Sequence, residues 1–483
     1  MRIAIVHGYF LGDSGSAIYT RELAREFTRE GHDVTLICQE QRPKDYDFID
    51  CLYDFNSDNT RAEMVFERET AYSGRCRLVR PDIHGYLPTY VAGPFPPFNA
   101  APLQDSQKDI VERYIEDNVT AMTACFDRWP QDLVQANHAV LQPLLVKKSL
   151  RGSAPYVVTI HGSELNFTVS QDPRMGPFLV EGLEDAAAVA ALSDTSRADA
   201  IAITIAHGLD IEQKTVTLPP GVDTELFAPL AGRRDALAEI SQSIDPGHDD
   251  IIVFAGRLMW TKGLHHVVAA LPLILGEHPR LHLIIVGDGP MREPLSKFIT
   301  LLENGKLAEA RVLVENDQEL KTAAGYGPVI PEMTQEEEKL YLLSALGDLS
   351  QRIHFTGQLS HERLAPLFGI ADISLAPSVF PEAFGLVSIE ALSAGALPVA
   401  TYQTGLRSPL NVVADELGDE QLRSLVPGIE LTKSLAALSI STLNKYRTRD
   451  EAHRRQLHEI AKKNFSWMKV AGRYIELSGR NTT

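Results

Sequence analysis

The sequence predicts an α/β protein built from two doubly wound domains that face each other across a cleft. Three observations carry that reading. Short apolar runs alternate with helix-period segments from the first residues onward, the pattern of parallel sheets joined by crossover helices. A polar and acidic stretch after Pro219-Pro-Gly-Val-Asp223 separates two such series, the second starting at Ile251. The chain has 483 residues, and at roughly 150 residues per domain it can form two or three separate cores.

Composition narrows the class. Apolar residues make up 44% and charged residues 23% of the chain, as in ordinary globular proteins. Lys and Arg number 46 against 64 Asp and Glu, a net charge of −18. That sign argues against binding nucleic acid or an anionic membrane through bulk charge. The sequence enters a strand directly at Arg2-Ile-Ala-Ile-Val6, with no apolar signal region and cleavage site. Its longest apolar run, Val267 to Leu275, is far short of the ~18 residues that cross a membrane. Cys38, Cys51, Cys76 and Cys125 form no C-x-x-C pair and have no paired histidine nearby, so neither a disulfide framework nor a zinc site is expected. A reducing, cytoplasmic setting is the expectation.

In the N-terminal half, the first strand is Ile3 to Val6, followed by the small polar loop Gly12-Asp-Ser-Gly-Ser16. Tyr19, Leu23 and Phe27 then recur at helical spacing, Gly31 ends the helix, and Val34 to Cys38 is the second strand. Further strands are expected at Asp132–Ala136, Tyr156–Ile160, Val189–Ser193 and Thr215–Leu218. Residues from about 50 to 130 break the rhythm. Pro81, Pro88, Pro94, Pro96, Pro97 and Pro102 lie among Tyr86, Tyr90, Phe95 and Phe98, which reads as a long irregular insertion shaping a binding face.

The polar stretch through Asp250 reads as a linker. Strands follow at Ile251–Ala255 and Leu281–Val286, then an insertion from about 303 to 350. It contains a capping-box start, Thr334-x-x-Glu337, ahead of an apolar helix face. Ile353–Thr356, Ile373–Ala376 and Leu397–Ala400 complete the second sheet. The carboxyl ends of two such sheets make a natural place to join two substrates.

Three segments carry chemistry. In Ser378-Val-Phe-Pro-Glu382-Ala-Phe-Gly385-Leu-Val-Ser-Ile-Glu390 a strand leads into a helix starting near Gly385, and the exposed N–H groups of that start attract an anion. Glu382 precedes the helix and can accept from hydroxyls, and Glu390 can bind a vicinal diol as acidic residues bind ribose. An anion site between two diol-binding carboxylates suits a nucleotide sugar. In Gly256-Arg257-Leu-Met-Trp-Thr-Lys262-Gly263 two cations five residues apart follow a strand and can converge on a diphosphate. Two positive charges offset the diphosphate, so no metal ion is required. In Thr159-Ile-His161-Gly162-Ser-Glu164 a histidine at a strand end can bond a sugar hydroxyl or move a proton.

On these residues the chain resembles the family 4 glycosyltransferases with the GT-B fold, whose domains are Rossmann-like. The likeness runs from Arg2 to Phe465-Ser-Trp467-Met-Lys-Val-Ala-Gly-Arg-Tyr474 and is strongest over 251–290 and 353–405. The family hallmark, two glutamates separated by seven residues, is matched by Glu382 and Glu390. The resemblance implies retaining transfer of a sugar from a nucleotide diphosphate donor, with no obligatory metal or other cofactor. It implies that Arg257 and Lys262 neutralise the leaving diphosphate, and that Glu382 with Ala383, Phe384, Gly385 and Leu386 holds the donor. It places Glu390 on the ribose, Gly357 and Leu359 near the base, and His161 as the cleft histidine. Many relatives carry two glycines where this chain has Gly15-Ser16, in the loop that meets the donor.

The organisation implied is an acceptor-binding domain at 1–222, a nucleotide-sugar domain at 223–455 and a C-terminal helix at 456–483 that crosses back. The acceptor and the oligomeric state are left open, and so is contact with a membrane surface. Asp45-Tyr-Asp47 is an acidic pair of the kind metal-dependent transferases use, but it sits in a polar loop without their surrounding pattern. No G-x-G-x-x-G follows any strand, which speaks against a dehydrogenase. An epimerase of the same fold, or a non-catalytic nucleotide-sugar-binding protein, is the alternative.

Overall fold

Apolar runs of four to six residues become the parallel inner strands of two sheets, because strands covered by helices on both faces need no polar alternation. A computed structural model describes residues 1–479 except Asp13, Val91, Ala92, Pro94, 230–243, Pro246 and 447–449. Asp13 of the first loop, Pro94 of the proline cluster and most of the expected linker therefore lie outside the described residues. The chain divides into two units, Met1–Gly221 with Trp467–Thr483, and Val222–Ser466.

In the first unit, the strands are β1 (Arg2–Val6), β2 (Asp33–Ile37), β3 (Cys51–Phe55), β4 (Ala62–Glu67), β5 (Arg75–Arg80), β6 (Tyr86–Thr89), β7 (Asn99–Pro102), β8 (Leu133–Asn137), β9 (Tyr156–Ile160), β10 (Ala188–Ala191) and β11 (Thr215–Thr217). Nine of them form one sheet in the order β11-β10-β9-β8-β1-β2-β5-β3-β4, and β6 and β7 pair separately. The order reverses direction around β1, flanked by β8 and β2, and such a switch point leaves a crevice at the strands' carboxyl ends. The helix Gly15–Arg29 starts on an Ser14 cap and buries Tyr19, Leu23 and Phe27. The C-terminal helix Trp467–Ser478 lies against it, with the Tyr19 and Tyr474 hydroxyls 2.7 Å apart.

The region from 50 to 130 is not an irregular insertion. It extends the sheet by β3, β4 and β5 and ends in the helix Lys108–Arg128. Polar residues disguised these strands: Arg77 bonds Asp33 across β5 and β2, and Arg80 makes a bidentate pair with Asp54 on β3. The sheet is also not wholly parallel, since β3 and β4 run antiparallel at its edge.

The second unit holds β12 (Asp250–Ala255), β13 (Leu281–Val286), β14 (Ile353–Gly357), β15 (Ile373–Ala376) and β16 (Leu397–Ala400), all parallel in the order β14-β13-β12-β15-β16. Its switch point lies between β12 and β15. The 303–350 insertion folds as the helices Leu307–Asn316, Gln318–Ala324 and Gln335–Ala345, the last with the capping box of Thr334 and Glu337. That helix faces the core only through Tyr341 and Ala345, and its Leu340 and Leu343 are exposed. The described residues after Gly221 do not all behave as linker: Phe227 is buried beside His361 and Phe368, and Asp249 pairs with Arg280. The helix Glu451–Asn464 is part of this unit, where Arg454 donates to the carbonyls of Gly369 and Ala371.

Candidate active site

Each unit gathers polar side chains at its own switch point. In the second unit, β12 is followed by Gly256 and Arg257, and a turn carries the chain through Lys262 to Gly263 before the helix Leu264–Glu277. This turn lies against the segment after β15, where the Val379 amide donates to the Thr261 carbonyl at 2.9 Å. Gly263 adopts φ +73°, and a Cβ there would sit 1.9 Å from the Pro377 carbonyl oxygen. Only glycine permits both the left-handed turn and the close approach.

The approach delivers Lys262 to Glu382. Their side chains pair at 2.5 Å, and both are partly buried. Glu382 Oε1 also accepts from the Ser378 hydroxyl at 2.7 Å. The Glu382 backbone is clamped as well: its N–H donates to Thr404 Oγ1 at 3.0 Å and its carbonyl accepts from Gly405 at 2.9 Å. Gly385 caps the helix Leu386–Ser393 with φ +91°. The first N–H groups of a helix have no intrahelical acceptors, so those at Gly385 and Leu386 are donors available to an anion. Phe384 is buried, its ring 6.0 Å from that of Phe465, which anchors the loop.

Glu390 lies on the second turn of this helix and is buried, with His361 Nε2 at 3.6 Å from Oε1. Among the described residues Arg257 is exposed with no ion-pair partner, so its charge is unspent. Gly357 ends β14 and its carbonyl accepts from Gly287, while Leu359 follows in the next loop, half-buried. Lys262 and Glu382 thus meet directly, and Ala383 to Leu386 continue from Glu382 in the chain. Among the described residues no hydrogen bond or ion pair joins Gly357 or Leu359 to that pair. The sequence assigns no role to Ser378 within its segment and does not mark Thr404 and Gly405, although Thr404-Gly405 follows a strand and carries the small residues such loops favour.

In the first unit, His161 follows β9. It is buried, its Nε2 lies 2.8 Å from Asn137 Oδ1, and its main-chain N–H donates to Glu164 Oε1 at 2.9 Å. Burial, together with the neighbouring His138, holds the His161 imidazole well below its ordinary range, so the ring is neutral. Burial would push the Glu164 carboxyl up, but His138 facing it, His161 and its backbone hydrogen bonds hold it at about 2. Glu164 also accepts from Ala139 N–H, and His138 Nδ1 lies 3.2 Å from Oε2. His138 and Glu164 were not singled out as a pair in the sequence, because β8 and β9 bring them together. Gly15 and Ser16 begin the helix after β1, where Ser14 Oγ accepts from Ala17 N–H.

Arg21, Arg25 and Arg29 are paired with Glu22 and Glu26 on the same helix. Asp47, of the Asp45-Tyr-Asp47 motif, accepts from the Tyr72 hydroxyl. Among the described residues no three His, Cys, Asp or Glu side chains gather as a metal site, and no helix is long and apolar enough to cross a membrane.

Comparison with known proteins places this architecture. Residues 14–208 match the glycosyl transferase 4-like domain, and residues 238–310 and 322–411 match glycosyl transferases group 1. The gap between the two later segments falls inside the helical insertion. The D-inositol 3-phosphate glycosyltransferase of Kineococcus radiotolerans is 25% identical over 406 residues, 82% of this chain and 75% of its own length. The catalytic domain of starch synthase IV from Arabidopsis thaliana, solved with ADP and acarbose, has a TM-score of 0.64 at 14% identity and covers 99% of this chain and 98% of its own. Anabaena HepE in complex with UDP has a TM-score of 0.56 at 16% identity, covering 99% of both chains. Two α/β domains with these likenesses define a GT-B fold. The chain belongs to the family 4 glycosyltransferases.

Proposed function

We propose that the enzyme moves a sugar, with retention of anomeric configuration, from a nucleotide diphosphate sugar bound by the second unit to an acceptor bound by the first. The observation that carries this reading is the Lys262–Glu382 pair beside the Gly385 helix start, at the second unit's switch point. UDP bound to HepE and ADP bound to starch synthase IV support a nucleotide donor. The relative named for D-inositol 3-phosphate makes a phosphorylated polyol the first acceptor to try.

In this mechanism the anomeric C–O bond breaks through an oxocarbenium-like state. Negative charge grows on the leaving diphosphate, and Arg257, Lys262 and the helix start stabilise it. Glu382 holds the sugar and Glu390 the ribose, with Gly357 and Leu359 beside the base. Gly15 and Ser16 contact the donor from the first unit, and His161 bonds a hydroxyl of the sugar or moves a proton. Glu382 is committed to sugar binding, so the leaving phosphate takes the acceptor's proton as the acceptor attacks the same face. The two cations balance the diphosphate and no metal is obligatory.

The test is incubation with a panel of nucleotide sugars, following nucleotide release with and without phosphorylated and free polyols, in the presence and absence of EDTA. The product's anomeric configuration is read by NMR. Acceptor-dependent release, unaffected by EDTA and giving a retained linkage, is expected. An inverted linkage ends the retaining assignment, and loss of activity in EDTA ends metal independence. Donor turnover without any acceptor would favour the epimerase, and binding without turnover the non-catalytic protein.

A further inference from the structure

The polar side chains beneath His161 form a hydrogen-bond chain of fixed direction, and the direction can be read from one end. The Val6 carbonyl can only accept, and Asn137 Nδ2 lies 3.3 Å from it. Asn137 Nδ2 also donates to Gln135 Oε1 at 2.9 Å, which uses both of its hydrogens. Asn137 Oδ1 must therefore face the other way, toward His161 Nε2 at 2.8 Å. An amide oxygen has no proton to give, so the imidazole nitrogen donates. Gln135 completes the lock: its Nε2 donates to Asn137 Oδ1 at 3.2 Å and to Thr159 Oγ1 at 2.6 Å. The Thr159 hydroxyl in turn bonds the Tyr474 hydroxyl, which bonds Tyr19. Gln135, Asn137, Thr159 and Tyr474 are fully buried.

The register makes this arrangement. Asn137 is opposite Thr159 on paired strands β8 and β9, so His161, two residues on, comes back over the Asn137 side chain. The groups facing the imidazole are Asn137, the ring of His138 with centroids 4.8 Å apart, the ring of Tyr19 at 5.3 Å, Glu164 below its main-chain N–H, and His7 beyond His138. Of these, only Asn137 bonds Nε2.

We infer that Asn137 is the positioning residue for His161: its amide oxygen, oriented by the Val6 carbonyl, holds the proton on Nε2 and leaves Nδ1 as the ring's hydrogen-bond acceptor. Whatever hydroxyl His161 meets then donates to Nδ1, which sets the polarity of that contact in advance of binding. The inference rests on the proposed use of His161 in sugar transfer, but its first readout needs no substrate.

The experiment is 15N NMR of the histidine rings at neutral pH, with His161→Gln to assign the signal. The full-length protein is expected to show His161 protonated at Nε2 and bare at Nδ1. A ring protonated at Nδ1 overturns the inference whatever the enzyme's activity. Asn137→Asp keeps an acceptor but adds charge, and is expected to turn His161 into an imidazolium at neutral pH. An unchanged ring spectrum overturns it. In turnover assays Asn137→Ala is expected to lower kcat about tenfold, a part of what a positioned acid–base group contributes, with donor KM little changed. In a His161→Ala background the same substitution is expected to change kcat less than about twofold, since a residue acting through His161 has nothing left to act on. Equal losses in both backgrounds would show a merely structural role.

Discussion

Lys262 Nζ and Glu382 Oε1 lie 2.5 Å apart although 120 positions separate them in the chain. One follows the first strand of the second unit and the other follows the fourth, and neighbouring strands at a switch point bring the two loops together. The pair keeps each charge compensated before a substrate arrives. A diphosphate sugar would divide it, drawing the ammonium to phosphate and freeing the carboxylate for hydroxyls.

Lys262→Ala should remove roughly 2–4 kcal/mol of transition-state stabilisation, the range found when a charge-stabilising donor is deleted. The expected result is a fall in kcat/KM on the order of 30- to 1,000-fold, with Lys262→Arg intermediate because a planar fork replaces a point charge. Steady-state kinetics with the best donor decides it. Near-normal turnover takes Lys262 out of the site.

Glu390→Gln should weaken nucleoside diphosphate binding by about 1–3 kcal/mol, the cost of losing a charged hydrogen-bond partner. Sugar preference should stay as it is. Titration calorimetry with nucleoside diphosphates reads the affinity. A turnover defect at unchanged affinity contradicts the ribose role.

Gly385→Ala puts a Cβ on a residue at φ +91° and 2.4 Å from Leu406 Cδ2. The side-chain tip can shift, but the left-handed backbone remains strained by about 1–2 kcal/mol. The variant should melt lower than wild type and gain less Tm from added nucleoside diphosphate, because the helix-start amides have moved. Leu406→Ala in the same chain should relieve the clash without restoring the ligand shift. Full restoration would mean that space, not backbone conformation, selects glycine here.

Acid should weaken the first unit through Glu164. Its folded value of about 2 lies below the ordinary 4.5, so its contribution is complete above 4.5 and is lost as pH falls toward 2. The buried His7 and His161 rings, held below 6.5 chiefly by burial, act in the same direction at higher pH. Urea unfolding at a series of pH values should show Glu164→Gln less stable than wild type at neutral pH and flatter below 4.5. Equal slopes in the two proteins would deny Glu164 this role.

Much of the fold was legible along the chain because buried parallel strands are locally marked. Ile3–Val6, Tyr156–Ile160 and Leu281–Val286 are predominantly apolar wherever they are read, and the helices between them repeat at their own period. The strands from 50 to 80 were missed because Arg75, Arg77 and Arg80 look like surface residues. They become strand residues only once Glu67 on β4, Asp33 on β2 and Asp54 on β3 pair with them.

The site divides the same way. By itself the sequence determined which groups are present and how close neighbours along the chain are spaced: Glu382, Gly385 and Glu390 around one helix start, Arg257 and Lys262 on one turn, His161 after a strand. Those relations are set by helix and strand geometry over a few residues. Only the tertiary structure decided that Lys262 meets Glu382, that Thr404 and Gly405 clamp the Glu382 backbone, and that Asn137 holds His161. Each of these depends on strand order and register, and a hydrogen bond or ion pair exists only when folding places donor and acceptor within about 3 Å.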